Sequence, residues 1–319
     1  MKRKVIQIAD STQLISLPRK WCLANNVKKG DELNVETEGQ LITVSCKQEM
    51  RIERAELRMK DYGPLAPRVI YSLYRKGIDE LKVYYDDPEE VQAIQKNLRD
   101  ATGYEIVEQD SKSILIKNIS SNIMGFDSML RRTFLLLISQ AEECAKAFSE
   151  KNVSALKNLV SLEESNNHFT TVCRRYLNKY EAPKSMKTGP LYSIVQEIEK
   201  IADEYKYLVQ AIEQHRSDFA KTAGSLAGLY KGVSAMMREV YEVFYKFDPH
   251  KFSAIAEARQ KIVEQATEKM KAAKSPIEFL MVHHLIVITQ KAFNMLGSMI
   301  ILTAPVAESL ASVSKHQDI

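Results

Sequence analysis

Residues 192–212, YSIVQEIEKIADEYKYLVQAI, decide the fold of this chain. At about 100° per residue, Ile194, Ile198, Ile201, Tyr205, Leu208 and Ile212 fall on one stripe, the signature of a helix that buries one face. Gly189-Pro190-Leu191 opens the segment, a small residue followed by proline where a missing N–H is harmless. The same punctuation returns about 90 residues on, at Ser275-Pro276-Ile277. Working outward, further period-3.6 segments cover roughly 123–149, 153–180, 218–247, 250–273 and 276–303. With 190–215 they make six helices. The repeat of punctuation divides them into two three-helix bundles in tandem, about 120–216 and 217–319.

Ahead of residue 120 the pattern shortens. Residues 48–65 are charged, end at Gly63-Pro64 and are expected to be a connector. Next comes a small α/β unit, so that 48–119 form one segment. It has a helix over Ala66–Lys76, a strand over Leu81–Tyr85 and a helix opened by Asp87-Pro88-Glu89-Glu90, with an acidic first turn suited to the helix dipole. Gly103 ends that helix, and Tyr104–Glu108 with Ser113–Asn118 read as a hairpin. No motif there carries chemistry.

The first 47 residues form a third region, centred on Ile15–Leu33, ISLPRKWCLANNVKKGDEL. Alternation up to Leu17 predicts a strand, Pro18 starts a short helix over Arg19–Val27, and Gly30 sits in a Lys-Lys-Gly-Asp turn suited to positive φ. Two strands follow, Glu32–Thr37 and Gln40–Cys46. From Met1 to Gly30 seven basic residues (Lys2, Arg3, Lys4, Arg19, Lys20, Lys28, Lys29) face one acid, Asp10. Segregated positive charge suits a phosphate backbone; a solvated basic terminus has the same composition. Fewer than about 50 residues of hairpin bury too little apolar surface to fold alone, so Val5, Ile6, Ile8, Leu14, Ile15, Leu17, Trp21, Leu33, Val35, Leu41, Ile42 and Val44 need a partner.

Composition narrows the function classes. The chain has 319 residues and a net charge of only +4, so the placement of charge matters more than its sum. Cys22, Cys46, Cys144 and Cys173 are scattered without CxxC spacing, which points to reduced thiols in a cytoplasmic protein. The N-terminus breaks into polar alternation before any signal-peptide core develops. The most apolar run, Ala292–Ala307, falls short of the roughly 20 residues of a membrane span and reads as a buried helix. P-loop, GxGxxG, HExxH and GxSxG patterns are missing, so an enzyme is not expected.

Two carboxylate-bearing spacings stand out in the first bundle. Glu199 and Asp203 lie four apart, on the far side of their helix from its apolar stripe. Glu163 and Asn167 repeat the spacing in the preceding helix, off the face of Leu159, Leu162, Phe169, Cys173 and Tyr176. Oxygens one turn apart can share a hard cation; they also make an ordinary solvated row, with Lys200 and Lys206 balancing charge. The second bundle lacks an equivalent: Gln290 and Ile286 stand where the acids would, and Glu257 is followed by Lys261. His283-His284 point two ways on their helix and read as core or interface residues.

Two family resemblances attach to these residues. The strand, proline turn, short helix and Gly30-Asp31 turn of residues 1–47 resemble the SpoVT–AbrB (swapped-hairpin) DNA-binding domain. The six helices of 120–319, with Ile198-Glu199-Lys200-Ile201-Ala202-Asp203 and its partner spacing at Glu163 and Asn167, resemble the PhoU family of phosphate-uptake regulators. Together they imply a mainly α multi-domain protein with a small N-terminal swapped-hairpin β domain, a small α/β unit and a PhoU-like helical half. The first resemblance implies an intertwined homodimer that binds DNA, with Lys2, Arg3, Lys4, Arg19 and Lys20 at the phosphates. The second implies a divalent metal or iron on the first bundle, held by Glu163, Asn167, Glu199 and Asp203. The implied function is phosphate-responsive transcription regulation in the cytoplasm, without membrane insertion. The alternative is an adaptor that binds a phosphate-transporter ATPase or a signalling kinase and uses the N-terminal module to dimerise. Metal storage or a metal-dependent enzyme is the third class.

Overall fold

A computed structural model describes residues 3–8, 12–38, 41–46, 52–98, 101–120, 125–180 and 187–305. They form two compact units, Met1–Glu53 and Arg54–Ile319.

In the first unit, β1 (Ile6–Ile8) pairs antiparallel with β2 (Thr12–Leu14), in the register Ile6 to Leu14. Pro18 then supplies a fixed φ of −64° at the N-terminal boundary of α1 (Arg19–Ala24). Gly30 has φ +94°, and Asp31 accepts a hydrogen bond from the Lys28 N–H at 2.7 Å, which closes the expected turn. β3 (Leu33–Glu38) and β4 (Leu41–Cys46) make a second antiparallel hairpin. No residue of this unit is buried among those described.

The second unit begins with a strand where a connector was expected. β5 (Arg54–Arg58) pairs parallel with β6 (Glu80–Tyr84), so residues 54–58 belong to a sheet. The crossover between them holds the short α2 (Met59–Tyr62) and α3 (Ala66–Lys76). After β6 come α4 (Pro88–Leu98), β7 (Tyr104–Gln109) and β8 (Ser113–Asn118), in a sheet of order β5-β6-β8-β7. Asp87 caps α4 by accepting from the Glu89 N–H at 2.9 Å. Leu57, Ile70, Tyr74, Leu81, Val83, Ile94, Ile114 and Ile116 fill the core of this sheet and its helices.

Six helices follow, as the periodicity predicts: α5 (Phe126–Glu150), α6 (Lys157–Tyr180), α7 (Thr188–Glu213), α8 (Arg216–Tyr245), α9 (Pro249–Lys271) and α10 (Pro276–Thr303). Asp248 caps α9, and Ser275 caps α10 by accepting from the Glu278 N–H, each just before a proline. The two sets of three helices do not stand apart. α7 lies along α10 and α5 along α8, and one continuous core runs through both sets. At its centre Phe148 stacks on Tyr230 at 3.8 Å, and the Tyr230 hydroxyl donates to the Met281 carbonyl at 2.8 Å. The stripe read from residues 192–212 is fully buried, from Ile194 to Ile212. α10 is long and apolar enough to cross a membrane, but it is the core helix here, with Met281, Leu285, Ile288, Ala292, Met295 and Met299 packed inside.

Candidate functional site

The α/β unit and the helices meet where α3 lies on α6, and one side chain fixes the joint. Arg175 is fully buried. Its Nη1 donates to the carbonyls of Tyr74 and Ile78, both at 2.7 Å, and its Nη2 donates to Asp79 Oδ1 at 2.7 Å. The guanidinium also lies over the rings of Tyr74 and Tyr104. Lys179, one turn on, reaches the same Asp79 oxygen. Burial pushes the Tyr74 hydroxyl up to about 12, with the Arg175 charge pulling the other way.

Beside this joint the structure brings the four candidate metal residues together, in surroundings the spacing did not indicate. α6 and α7 run antiparallel, so the start of one faces the end of the other. Glu163 is 2% exposed, not solvated. Its carboxylate accepts from Asn167 Nδ2 and from Lys206 Nζ, the latter at 2.6 Å. Lys206 also donates to Asp203 at 2.7 Å, so one ammonium bridges the acids of two helices. Glu199 pairs with Arg174, which is itself buried. The expectation of an exposed carboxylate face is therefore corrected. α3 covers α6 and the antiparallel approach of α7 closes the remaining side, so α6 is polar yet enclosed.

The electrostatics follow from that enclosure. Burial raises the Glu163 carboxyl above its ordinary value, against the opposing pull of Lys206. For Lys206, burial lowers the ammonium, but hydrogen bonds to Asp203 and Glu163 outweigh it and the net direction is up. Arg174 is lowered to about 10, mainly by burial and next by the nearby Arg75 charge. Among the described residues no three His, Cys, Asp or Glu side chains form a group able to hold a metal. Side-chain cations already neutralise these carboxylates: Lys206 serves Glu163 and Asp203, and Arg174 serves Glu199. As placed, the set does not fit a metal ion. Lys200 pairs with Glu197 on its own helix instead.

Against this network lies a polar cavity of about 400 Å³, lined by Arg68, Tyr71, Ser72 and Arg75 of α3, Asn167 and Thr171 of α6, and Glu199 of α7. The four α3 residues were not singled out in the sequence. Their signal was present: positions 68, 71, 72 and 75 have the i, i+3, i+4, i+7 spacing of one helix face.

The histidine pair divides as expected for interface residues. His284 Nδ1 is 2.9 Å from Glu204 Oε2 across α10 and α7.

In the N-terminal unit, Arg3, Lys4, Arg19, Lys20, Lys28 and Lys29 are exposed. Lys2 lies outside the described residues. Large apolar side chains are exposed beside them, including Leu23 at 68%, Val35 at 63%, Ile42 at 63% and Val5 at 62%. Leu17, Trp21, Val27, Leu33 and Val44 are half-buried, and none of the described residues of this unit is fully buried.

Fold and site define a mainly helical protein with an α/β unit clamped to its first three helices and a basic hairpin unit before them in sequence, none of whose described residues is buried. No protein-family model matches the sequence, and no curated protein matches it. Among solved structures the chain is similar to the phosphate transport system regulatory protein PhoU from Streptococcus pneumoniae. That likeness has 12% identity and a TM-score of 0.38, and covers 57% of this chain and 96% of that one.

Proposed function

We propose that this chain is a phosphate-responsive transcription regulator of the cytoplasm that binds DNA through a homodimer of its N-terminal units. The observation that carries the reading is that none of the described residues within 1–53 is buried. Val5, Ile6, Ile8, Leu14, Val35 and Ile42 are all more than 40% exposed, in a unit too small to fold without a partner. A second copy offers the same apolar strands in return, which is the self-complementary solution a two-fold dimer requires. The exposed Arg3, Lys4, Arg19 and Lys20 then serve two-fold related phosphates. The swapped-hairpin resemblance supports the DNA part of this reading. The PhoU-like spacing at Glu199 and Asp203 supports the phosphate part.

The test is fluorescence anisotropy on promoter fragments of phosphate-transport genes at several salt concentrations. The expected log–log plot of affinity against salt is steep, and Arg19→Ala and Lys20→Ala each flatten it by roughly one unit per lost phosphate contact. A flat salt response, or none with both residues intact, overturns the reading. Retention of a transporter ATPase by a chain lacking residues 1–47 would instead favour the adaptor.

A further inference from the structure

We infer that the cavity between α3, α6 and α7 is a binding site for a protonated phosphate group, held by Arg68 and Arg75 and selected by Glu199 and Asn167. Three observations carry it. The first is an excess of positive charge on the cavity wall. Arg68 and Arg75 line the cavity, and Glu199, the one carboxylate in that lining, is already paired with Arg174 behind it. The Arg75 charge acts against Arg174, and Asp203 is the nearby acid that opposes it. An oxyanion is the ligand class that such a wall takes.

The second observation is unmet hydrogen bonding. The Nε donors of Arg75 and Arg174 are buried without a partner. Arg174 is only 4% exposed, so water cannot readily serve it. Planar guanidinium forks match the edges of a tetrahedral oxyanion. Arg75 lies beside the Tyr71 ring and Arg174 beside the Tyr192 ring, both at 5.8 Å, and these rings limit how the forks can turn. The Ser72 hydroxyl adds a polar group to the cavity wall.

The third observation decides which oxyanion. Asn167 Oδ1 is buried without a donor, because its amide nitrogen is committed to Glu163. The Glu199 carboxylate also lines the cavity. Two acceptors among the donors would repel a fully deprotonated anion. They favour one that carries an O–H, as inorganic phosphate does at neutral and mildly alkaline pH; sulfate does not, nor does a phosphomonoester once ionised above its second pKa of about 6. The cavity is open to solvent at Arg68, which gives the ligand an entrance.

The inference supplies the effector of the regulator proposed above and rests on that reading for its biological consequence, but its geometry does not involve the N-terminal unit. Isothermal titration calorimetry of the full chain without DNA separates the two. Inorganic phosphate, AMP and sulfate are the three probes. Saturable binding of inorganic phosphate at mildly alkaline pH, with sulfate and AMP each at least about tenfold weaker, is expected, as loss of one charge-assisted bond implies. AMP binding as tight as phosphate overturns the requirement for an O–H on the ligand. Arg75→Gln and the rim variant Arg68→Gln, each checked for an unchanged circular-dichroism melt, should weaken binding by a similar factor. Glu199→Gln should narrow the gap between phosphate and sulfate. No heat with inorganic phosphate at millimolar concentration overturns the site, as does binding indifferent to both arginine variants. Equal affinity for sulfate overturns the assignment of Glu199 and Asn167. Each of these results leaves the DNA measurement standing.

Discussion

Arg175 is the side chain on which the joint between the α/β unit and the helices depends. It is a charge with no exposure, and it satisfies two carbonyls at the end of α3 as well as Asp79. Removing it strands those carbonyls in the interior. Arg175→Met should therefore cost roughly 3–5 kcal/mol, the range for breaking one partner of a buried ionic group, as read from urea melts. Arg175→Lys should recover little, because an ammonium cannot make the forked contacts. The thiols offer a second check on burial. Cys144 is pushed well above its ordinary value and Cys173 up to about 12, in both cases by burial. A colourless-to-yellow disulfide reagent should modify only Cys22 and Cys46 in the folded protein at neutral pH, and all four cysteines in denaturant.

Between elements, the Glu163–Lys206 contact gives the α6–α7 interface two pH-dependent contributions of the same sign, in different pH ranges. Glu163 has a raised native value, so the folded state binds its proton more tightly than the unfolded state does. Its contribution to stability should grow as pH falls from neutral toward the ordinary carboxylate value of 4.5. Glu163→Gln should remove that slope in a series of denaturant melts. Lys206 is also raised, so its contribution is full below 10.5 and is lost as pH climbs past it; Lys206→Met should flatten the alkaline limb. Loss of Lys206 should also leave Glu163 and Asp203 facing without a cation, and a manganese-dependent rise in melting temperature is expected in that variant alone. Gly103 is the most constrained turn. It has φ +82°, and a Cβ there would run into Ser120 and Asn118, so Gly103→Ala should destabilise by at least about 1–3 kcal/mol.

The six helices were legible because each carries an apolar stripe at one period, and a stripe survives whatever packs on it. β5 was not. In RAELR three of five residues are charged, only Leu57 is buried deeply, and its parallel partner lies 26 residues away. The enclosure of Glu163 and Arg175 was equally out of reach. Periodicity reports which face of a helix is apolar, whereas α6 is covered on its polar side by an element that begins 91 residues earlier. Spacing grouped Glu163, Asn167, Glu199 and Asp203 but gave no sign of the cations beside them, Lys206 and Arg174. The α3 face of Arg68 and Arg75 has helical spacing yet gains meaning only once α6 and α7 stand opposite.

For the whole molecule, the contrast between a first unit with none of its described residues buried and a continuous helical core predicts two unfolding events. The lower one, reporting residues 1–53 through Trp21 fluorescence, should move to lower temperature on dilution, as the proposed pairing of two copies requires. The upper one should be independent of concentration. A single concentration-independent transition would show that the first unit needs no second chain.

The proposed pairing would turn abundance into an input. A hairpin unit that gained its core only by pairing would assemble in proportion to the square of the chain concentration while monomers dominate. A twofold change in expression would then change the paired species about fourfold, before any effector is bound. Val5, Ile6, Val35 and Ile42, bare in the single chain, would thus let a cell count this protein as well as use it.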